Sequence, residues 1–302
     1  MLDSNYNEIL RVLRDDLSGS DARKSSHWQK YTQDRRVSET EIIGISGFGN
    51  AAKRSRLRQT VHDAFQRYLV GLSNPVFSSG PYHAADRYCT AQNRALDMDV
   101  LRHVFTMTLL KRLLPTGALP DCVCIIGDGQ ANFVSAALSD PSAPKVISIN
   151  LVDVLMSDLM LLAMLPGMTA SSFAVVRDKN GLAEARSDPQ VRVILLAAHR
   201  VDLLRAEAVP LFVNIASFQE MSPDVVEEYF DVMRSNKSHH YNCNRLRKVL
   251  PGGEVLAFEH YPWGDARILL DEPCPWHQRF YAFRWPFIRT YDGPTHHRFV
   301  QF

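Results

Sequence analysis

A glycine turn is the first feature of this sequence that could hold a ligand. Gly127, Asp128 and Gly129 follow the apolar run CVCII, which predicts a buried strand, and residues 130–138 predict a short helix. Glycine lets the backbone approach a ligand that a Cβ would block, and the helix start has unpaired N–H groups. The turn therefore predicts a seat for a nucleotide-like cofactor, although the same turn also occurs without a ligand.

The residues after this turn separate two cofactor classes. A dinucleotide fingerprint has a third small residue that allows close helix packing beneath the pyrophosphate, whereas this chain has Asn132 or Phe133 there. The departure disfavours NAD and FAD. It does not affect a cofactor that has no pyrophosphate.

Polar residues also follow the next predicted strands. Asn150 and Leu151 end the second strand, where a ribose-binding fold commonly has an acidic acceptor. Asn150 can bind a ribose hydroxyl as a neutral group, and Asp153 is an acidic alternative that suits a helix N-cap equally well. His199 follows the third strand, so we predict that it lies beside the cofactor and is a secondary catalytic candidate. A purely structural histidine is the alternative.

The segment after the fourth strand is the most specific one. FVNIASFQEMS at residues 212–222 is followed by VEEYF at residues 226–230. This pattern resembles the hallmark of the sugar O-methyltransferase family, and so do IIGDGQANF, the strand end INLVDVL and the run YNCN at residues 241–244. The resemblance covers residues 120–260.

The resemblance implies a Rossmann-like domain, S-adenosyl-L-methionine as the cofactor, and methyl transfer to a hydroxyl of a sugar or sugar-like small molecule. The cofactor-binding residues implied are Gly127, Asp128, Gly129, Asn150, Leu151, His199, Asn214 and Ser217. The substrate-binding residues implied are Gln219, Glu220, Tyr241 and Asn244. An alcohol is a poor nucleophile, so Glu220 is the first candidate for a general base. A carboxylate that only stabilises a helix start is the alternative.

Two positions depart from the methyltransferase pattern. Ile125 stands where an acidic residue is common, two positions before the first glycine, and Asn150 replaces the acidic ribose acceptor. Both changes remove acceptors for the ammonium and ribose groups of the cofactor. Asp128 is the residue that could compensate.

The elements that must position these residues alternate between strand and helix from Pro120 onward. Near-continuous apolar strands separated by helices predict an α/β fold with a Rossmann-like, doubly wound, mostly parallel sheet. Residues 168–190 are predicted to be an insertion whose only strand-like run is FAVV. Residues 253–259 and 283–290 are predicted to supply later, partly antiparallel strands.

The N-terminal third has a different pattern. Residues 1–118 predict a helical region, with amphipathic helices over 56–72 and 98–114, placed before a methyltransferase domain at 119–302. A lid and a homodimer interface are both open as its role. Gly44, Gly47 and Gly49 predict a plain glycine loop, and a substrate-facing loop is the alternative.

Composition excludes several classes. The 302 residues carry 34 basic and 33 acidic side chains, a net charge of +1, which indicates neither a nucleic-acid nor a membrane partner. The start lacks a signal peptide and no apolar run is long enough to span a membrane. The five cysteines form no CxxC pair, which favours a reducing, cytoplasmic location. We expect no metal site, since the adjacent histidines at 239–240 and 296–297 point apart on strands.

Two other interpretations of the whole chain stay open. A nicotinamide oxidoreductase is disfavoured by the incomplete fingerprint and the absence of a Tyr-x-x-x-Lys pair. A non-catalytic cofactor-binding protein suits the altered Ile125 and Asn150. The C-terminal aromatic and arginine residues favour a core layer with surface arginines, and a substrate-covering element is the alternative; they are Trp263, Trp276, Arg279, Tyr281, Arg284, Trp285, Arg289 and Tyr291.

Overall fold

The computed structural model describes residues 4–37, 42–43 and 53–302, so the predicted loop around Gly44, Gly47 and Gly49 lies outside it. The elements that precede the main sheet are α1 (Ser4–Asp15), α2 (Leu17–Asp21), α3 (Ser26–Tyr31), β1 (Arg36–Val37), β2 (Ile42–Ile43), α4 (Arg56–Val70), α5 (Gly80–Ala91) and α6 (Met98–Leu113). Helices α4 and α6 match the two predicted amphipathic segments. In the described part of the chain, no helix has the length and apolar character needed to cross a membrane.

The rest of the chain alternates strands with helices before it ends in strands alone. Its elements are β3 (Cys122–Ile126), α7 (Asn132–Leu138), β4 (Lys145–Asn150), α8 (Val152–Leu162), β5 (Phe173–Val176), α9 (Lys179–Ser187), β6 (Val193–Ala197), β7 (Leu211–Ile215), α10 (Pro223–Asn236), β8 (His239–Arg245), β9 (Arg247–Val249), β10 (Val255–Ala257), β11 (Arg267–Pro273), β12 (Arg279–Tyr281), β13 (Ile288–Thr290) and β14 (Thr295–Gln301).

Eight of these strands form one sheet in the order β11-β14-β8-β7-β3-β4-β6-β5. The strands from β8 to β5 in that order pair in parallel, and β14 runs antiparallel to both of its neighbours. Every residue of β3 and β6 is buried, because the sheet is covered on both faces. The predicted α/β, Rossmann-like, mostly parallel sheet with a helical N-terminal region is confirmed.

The order of the strands locates a ligand crevice. From β3 the chain first builds outward through β4 on one side, then returns to place β7 on the other side. Ligands bind outside the carboxyl ends of the strands at such a switch point. The strand ends that meet here are Ile126, Asn150 and Ile215.

Three sequence-based assignments of strands require correction. Residues 168–190 are not an insertion, since β5 pairs in parallel with β6 at the edge of the sheet and α9 follows it. Within residues 253–259, β10 pairs only with β9, and within 283–290, β13 pairs only with β12. The last strands of the main sheet are instead β11 and β14. The residues of β11 are mostly exposed and alternate only weakly with half-buried ones. This weak pattern explains why β11 was not predicted from the sequence.

The N-terminal helices pack on the sheet domain. Tyr6, Leu10 and Leu13 of α1 are buried in the same core as α8 and β5. At the end of α1, both carboxylate oxygens of Asp16 accept hydrogen bonds from Arg200, at 3.0 and 2.7 Å. The N-terminal segment is therefore fixed against the carboxyl-end face of the sheet, where the crevice lies.

Candidate functional site

A cavity of about 320 Å³ opens at the switch point of the sheet. Its wall combines the ends of β4 and β7, at Asn150 and Ile215, with residues of the N-terminal segment and of the C-terminal region. Eight of the predicted site residues line it: Gly127, Asp128, Gly129, Asn150, Leu151, Ser217, Gln219 and Glu220. The volume is in the range of small-molecule and cofactor sites.

The glycine turn is shaped by close backbone contacts. Gly127 has a φ of +67°, and its N–H donates to the Ile149 carbonyl at 2.8 Å. A Cβ on Gly127 would lie 1.8 Å from Ser217 Oγ, so only glycine fits against the end of β7. Gln130 and Ala131 also have positive φ angles, of 63° and 49°. The chain thus makes a tight left-handed turn before α7 starts.

Asp128 is buried in the turn and supports the helix that follows. Its Oδ2 accepts a hydrogen bond from Val134 N–H at 2.8 Å, while its Oδ1 has no partner among the described residues. Burial raises the pKa of Asp128 to about 6, although backbone N–H groups oppose the shift. Burial and then the charge of Asp128 raise the pKa of Asp158 in α8 well above its ordinary value. Two carboxyl groups thus share a poorly solvated space under the turn.

Asn150 and Asp153, the two candidates for the ribose acceptor, have different positions. Asn150 lines the cavity, and its Oδ1 accepts a hydrogen bond from Leu151 N–H at 2.9 Å. Asp153 is fully buried within α8 and accepts from Lys24 Nζ at 2.5 Å and from Arg35 at 3.0 Å. Of the two, Asn150 is therefore the residue placed to contact a ligand.

The first turn of α8 makes polar contacts with the N-terminal segment. Ser20 Oγ accepts a hydrogen bond from Val152 N–H at 3.0 Å, and Lys24 reaches Asp153 one residue later. Lys24 and its neighbours Arg23 and Ser25 also line the cavity. The helical N-terminal region therefore supplies part of the cavity wall.

Glu220 lines the cavity and lies between the side chains of Lys248 and His27. Its Oε1 is 2.9 Å from Lys248 Nζ, and its Oε2 is 3.4 Å from His27 Nε2. Ser25 Oγ donates to the Glu220 carbonyl at 2.5 Å. Burial raises the pKa of Glu220, but His27 and Lys248 more than offset this, so the pKa lies below its ordinary value. Glu220 is therefore ionised at neutral pH.

A buried amide network holds the loop that carries Glu220. Asn214 donates to the Ile126 carbonyl at 3.1 Å, and its Oδ1 accepts from Phe218 N–H and from Asn244. Asn244 Oδ1 in turn accepts from Gln219 N–H at 3.2 Å. The network connects the ends of β3, β7 and β8. It places Gln219 on the cavity wall, while Asn214 and Asn244 lie behind that wall.

Tyr241 and His199, also predicted for the site, lie away from the cavity. Tyr241 is fully buried, and its hydroxyl is 2.9 Å from His297 Nδ1. His199 packs on α2, where a Cβ on Gly19 would come within 2.9 Å of its Nε2. Ala198, the residue before it, is the one that lines the cavity. These positions suit supporting residues rather than contacts to a ligand.

Part of the cavity wall was not foreseen from the sequence. It contains Asp99, Arg102 and His103 of α6, together with His277 and Thr295 from the C-terminal region. Helix α6 was predicted to be amphipathic, but nine of its sixteen residues are buried. Arg102 is one of these nine, and His103 is the next residue of the helix. Burial lowers the pKa of His103 to about 3, so its imidazole is neutral. Polar residues inside an otherwise apolar helix were the signal that could have indicated this wall.

The C-terminal aromatic residues serve mainly as core. Trp263 packs at 5.1 Å from Phe230, and Trp276 stacks at 5.1 Å on Phe105. Trp285 is 81% exposed. Tyr291 is the member of the predicted set that lines the cavity. The core interpretation thus describes most of this set, and Tyr291 alone meets the ligand space.

Comparisons with known proteins find similarity of structure but not of sequence. No family model and no curated protein sequence matches the chain. The plantazolicin methyltransferase BpumL, solved in complex with SAH, is 9% identical, with 81% of this chain and 99% of that chain covered and a TM-score of 0.40. The pyocyanin biosynthetic protein PhzM is 11% identical, with 81% and 69% covered and a TM-score of 0.37. The mitomycin 7-O-methyltransferase MmcR is 13% identical, with 75% and 69% covered and a TM-score of 0.33.

Proposed function

We propose that this chain is an S-adenosyl-L-methionine-dependent methyltransferase that methylates a hydroxyl of a sugar or sugar-like small molecule. The observation that supports it most is the cavity that adjoins the Gly127–Gly129 turn and the ends of β4 and β7. The segment at residues 212–222, which resembles the sugar O-methyltransferase family, forms another part of the same cavity wall through Ser217, Gln219 and Glu220.

The cofactor half of the cavity comprises the turn, Asn150, Leu151 and Ala198. Asn150 is positioned to hydrogen-bond a ribose hydroxyl, and Ala198 and Leu151 offer apolar contacts for an adenine ring. Asp128 Oδ1, which has no partner among the described residues, would be satisfied by the ammonium group of the cofactor. A bound ammonium would also lower the raised pKa of this carboxyl.

The acceptor half is polar and aromatic. Arg102, His103 and Tyr291 line the cavity. Arginine and neutral histidine can hydrogen-bond hydroxyl groups, and a tyrosine ring can pack on the apolar face of a sugar. This combination supports a small polyhydroxylated acceptor.

Methyl transfer requires alignment and removal of one proton. The acceptor oxygen attacks the methyl carbon as the carbon–sulfur bond breaks, which releases S-adenosylhomocysteine, and the hydroxyl proton passes to a base. Glu220 is ionised and lines the cavity, so we assign it to that proton. Its low pKa makes it a weak base, and its pairing with Lys248 suits hydrogen bonding that orients the hydroxyl.

Calorimetry with S-adenosylmethionine, S-adenosylhomocysteine and NAD tests the cofactor assignment. We expect both methionine-derived ligands to bind and NAD not to bind. Binding of NAD alone would favour an oxidoreductase, and binding of none would contradict both enzyme classes. Binding of the cofactor without turnover of any hydroxylated acceptor from a broad panel would favour a non-catalytic cofactor-binding protein.

The role of Glu220 is tested by Glu220→Gln, with the exposed Glu259→Gln as a matched control. We expect the methyl-transfer rate to fall by about 10²–10⁴-fold in the first variant, as for loss of a general base. The affinity for S-adenosylhomocysteine should change little in either. An unchanged rate in Glu220→Gln would remove this residue as the base.

A further inference from the structure

Three potential metal ligands meet beside the acceptor half of the cavity. Cys243 belongs to β8, Cys274 follows β11, and His277 lies in the turn before β12. One ligand atom from each lies within 4.8 Å of the other two. All three residues are buried, and both cysteines are free thiols. Cys274 and His277 are three residues apart, but Cys243 comes from a different strand, and the absence of a CxxC pair had therefore predicted no metal site.

The geometry of this cluster matches a tetrahedral zinc ion. Bond lengths of about 2.3 Å to sulfur and about 2.0 Å to nitrogen place two such ligands roughly 3.5 Å apart. Cys243 Sγ and His277 Nδ1 are 3.7 Å apart. The separation of Cys243 and His277 is therefore close to the one that a shared zinc ion requires.

The charge of such a site also suits its surroundings. The charges of two thiolates cancel the charge of a divalent ion, and a neutral imidazole adds none. Burying this neutral site therefore costs much less free energy than burying a lone ion. Thiolate and imidazole together select zinc over magnesium or calcium, which prefer oxygen ligands.

We propose that Cys243, Cys274 and His277 bind one zinc ion, whose fourth position is open toward the cavity. Of the three ligands, His277 lines the cavity, near Tyr291 and Thr295. Three protein ligands and one open position are typical of catalytic zinc rather than structural zinc. The zinc site itself is independent of the proposed function.

The role of the zinc ion rests on the proposed methyl transfer. A zinc-bound hydroxyl of the acceptor would have a lowered pKa, so that its proton is lost more easily before the oxygen attacks the methyl carbon. The ion would then select acceptors with a hydroxyl that reaches the fourth position, while Glu220 would accept the proton.

Metal analysis of the full chain tests the site. The wild-type protein is purified with a phosphine reductant and without a chelator, and its zinc content is measured by mass spectrometry. The variants Cys243→Ser, Cys274→Ser and His277→Gln are compared with Cys122→Ser, a buried cysteine of β3 outside the cluster. We expect about one zinc per chain in the wild type and the control, and at least a tenfold loss in each ligand variant.

A second measurement does not depend on how the variants fold. Cobalt added to the wild type should give the intense charge-transfer and visible bands of tetrahedral thiolate coordination, and zinc should displace it. No uptake of either metal under reducing conditions, or a Cys243–Cys274 disulfide in the protein as purified, would overturn the proposal. If the protein binds zinc but not S-adenosylhomocysteine, the zinc site is supported and the proposed function is refuted. If it binds S-adenosylhomocysteine but not zinc, the zinc site is refuted and the proposed function is supported.

Discussion

Replacement of Gly127 by alanine tests the central structural claim about the turn. An L-residue at the left-handed φ of +67° costs about 1–2 kcal/mol. The added Cβ would lie 1.8 Å from Ser217 Oγ and 2.5 Å from Ser217 Cβ, so the end of β7 must also move. Such overpacking typically costs about 1–3 kcal/mol. Together these effects predict a loss of about 2–5 kcal/mol in the free energy of unfolding.

The assay is urea unfolding followed by tryptophan fluorescence, together with calorimetric titration of S-adenosylhomocysteine. Gly80→Ala is the matched control, because no heavy atom lies within 4 Å of its new Cβ and its φ is ordinary. We expect this control to change stability by less than about 1 kcal/mol. The variant Gly127→Ala should also bind the cofactor product at least tenfold more weakly, since the turn forms part of the cavity wall.

The double variant Gly127→Ala with Ser217→Gly separates the two causes. Removing Ser217 Oγ and Cβ should restore the free energy of unfolding that is lost to overpacking, but not the free energy that is lost to backbone strain. The two substitutions should therefore couple by about 1–3 kcal/mol. A stability for Gly127→Ala equal to that of the Gly80→Ala control, or additive effects in the double variant, would refute the reasoning.

Two further predictions concern buried charges. Burial raises the pKa of Asp128 to about 6, so the stability that it contributes is full below about pH 4 and is lost as the pH rises through 6, a change on the order of 3 kcal/mol. Asp128→Asn should remove that slope from urea unfolding between pH 4 and 7, while Asp140→Asn, at a carboxyl whose pKa is lowered, should not. Among the described residues, Lys24→Met leaves Arg35 as the cationic partner of the buried Asp153, so it should cost roughly 1–3 kcal/mol in thermal and urea unfolding. The double variant Lys24→Met with Asp153→Leu should be less destabilised than the sum of its single variants; additive losses would show that the pair is not coupled.

Much of the sheet domain was evident from local pattern. Mostly apolar runs of five or six residues followed by helices predicted β3, β4, β6 and β7, because a strand buried on both faces is largely apolar. The edge strands were harder. The short β5 was assigned to an insertion, and β11, which is largely exposed, carries little of the apolar signal on which such predictions depend.

The candidate site likewise contains residues that the sequence indicated and residues that it did not. Gly127, Asn150 and Ser217, which were predicted from the sequence, line the cavity, because a parallel sheet brings the residues after its strands to one edge. The family resemblance also implied Asn214 and Tyr241, whose side chains do not line the cavity. Neighbouring residues of a strand point to opposite faces, and the sequence did not show which face meets the ligand.

The sequence by itself thus determined the alternation of strands and helices, the parallel sheet and the glycine turn, all of which follow from apolar periodicity and backbone sterics within short segments. Only the tertiary structure decided that Glu220 is paired with His27 and Lys248, and that Cys243 meets Cys274 and His277. These partners come from segments far apart in the chain. Their proximity depends on how the N-terminal helices and C-terminal strands pack on the sheet, and no local pattern records that packing.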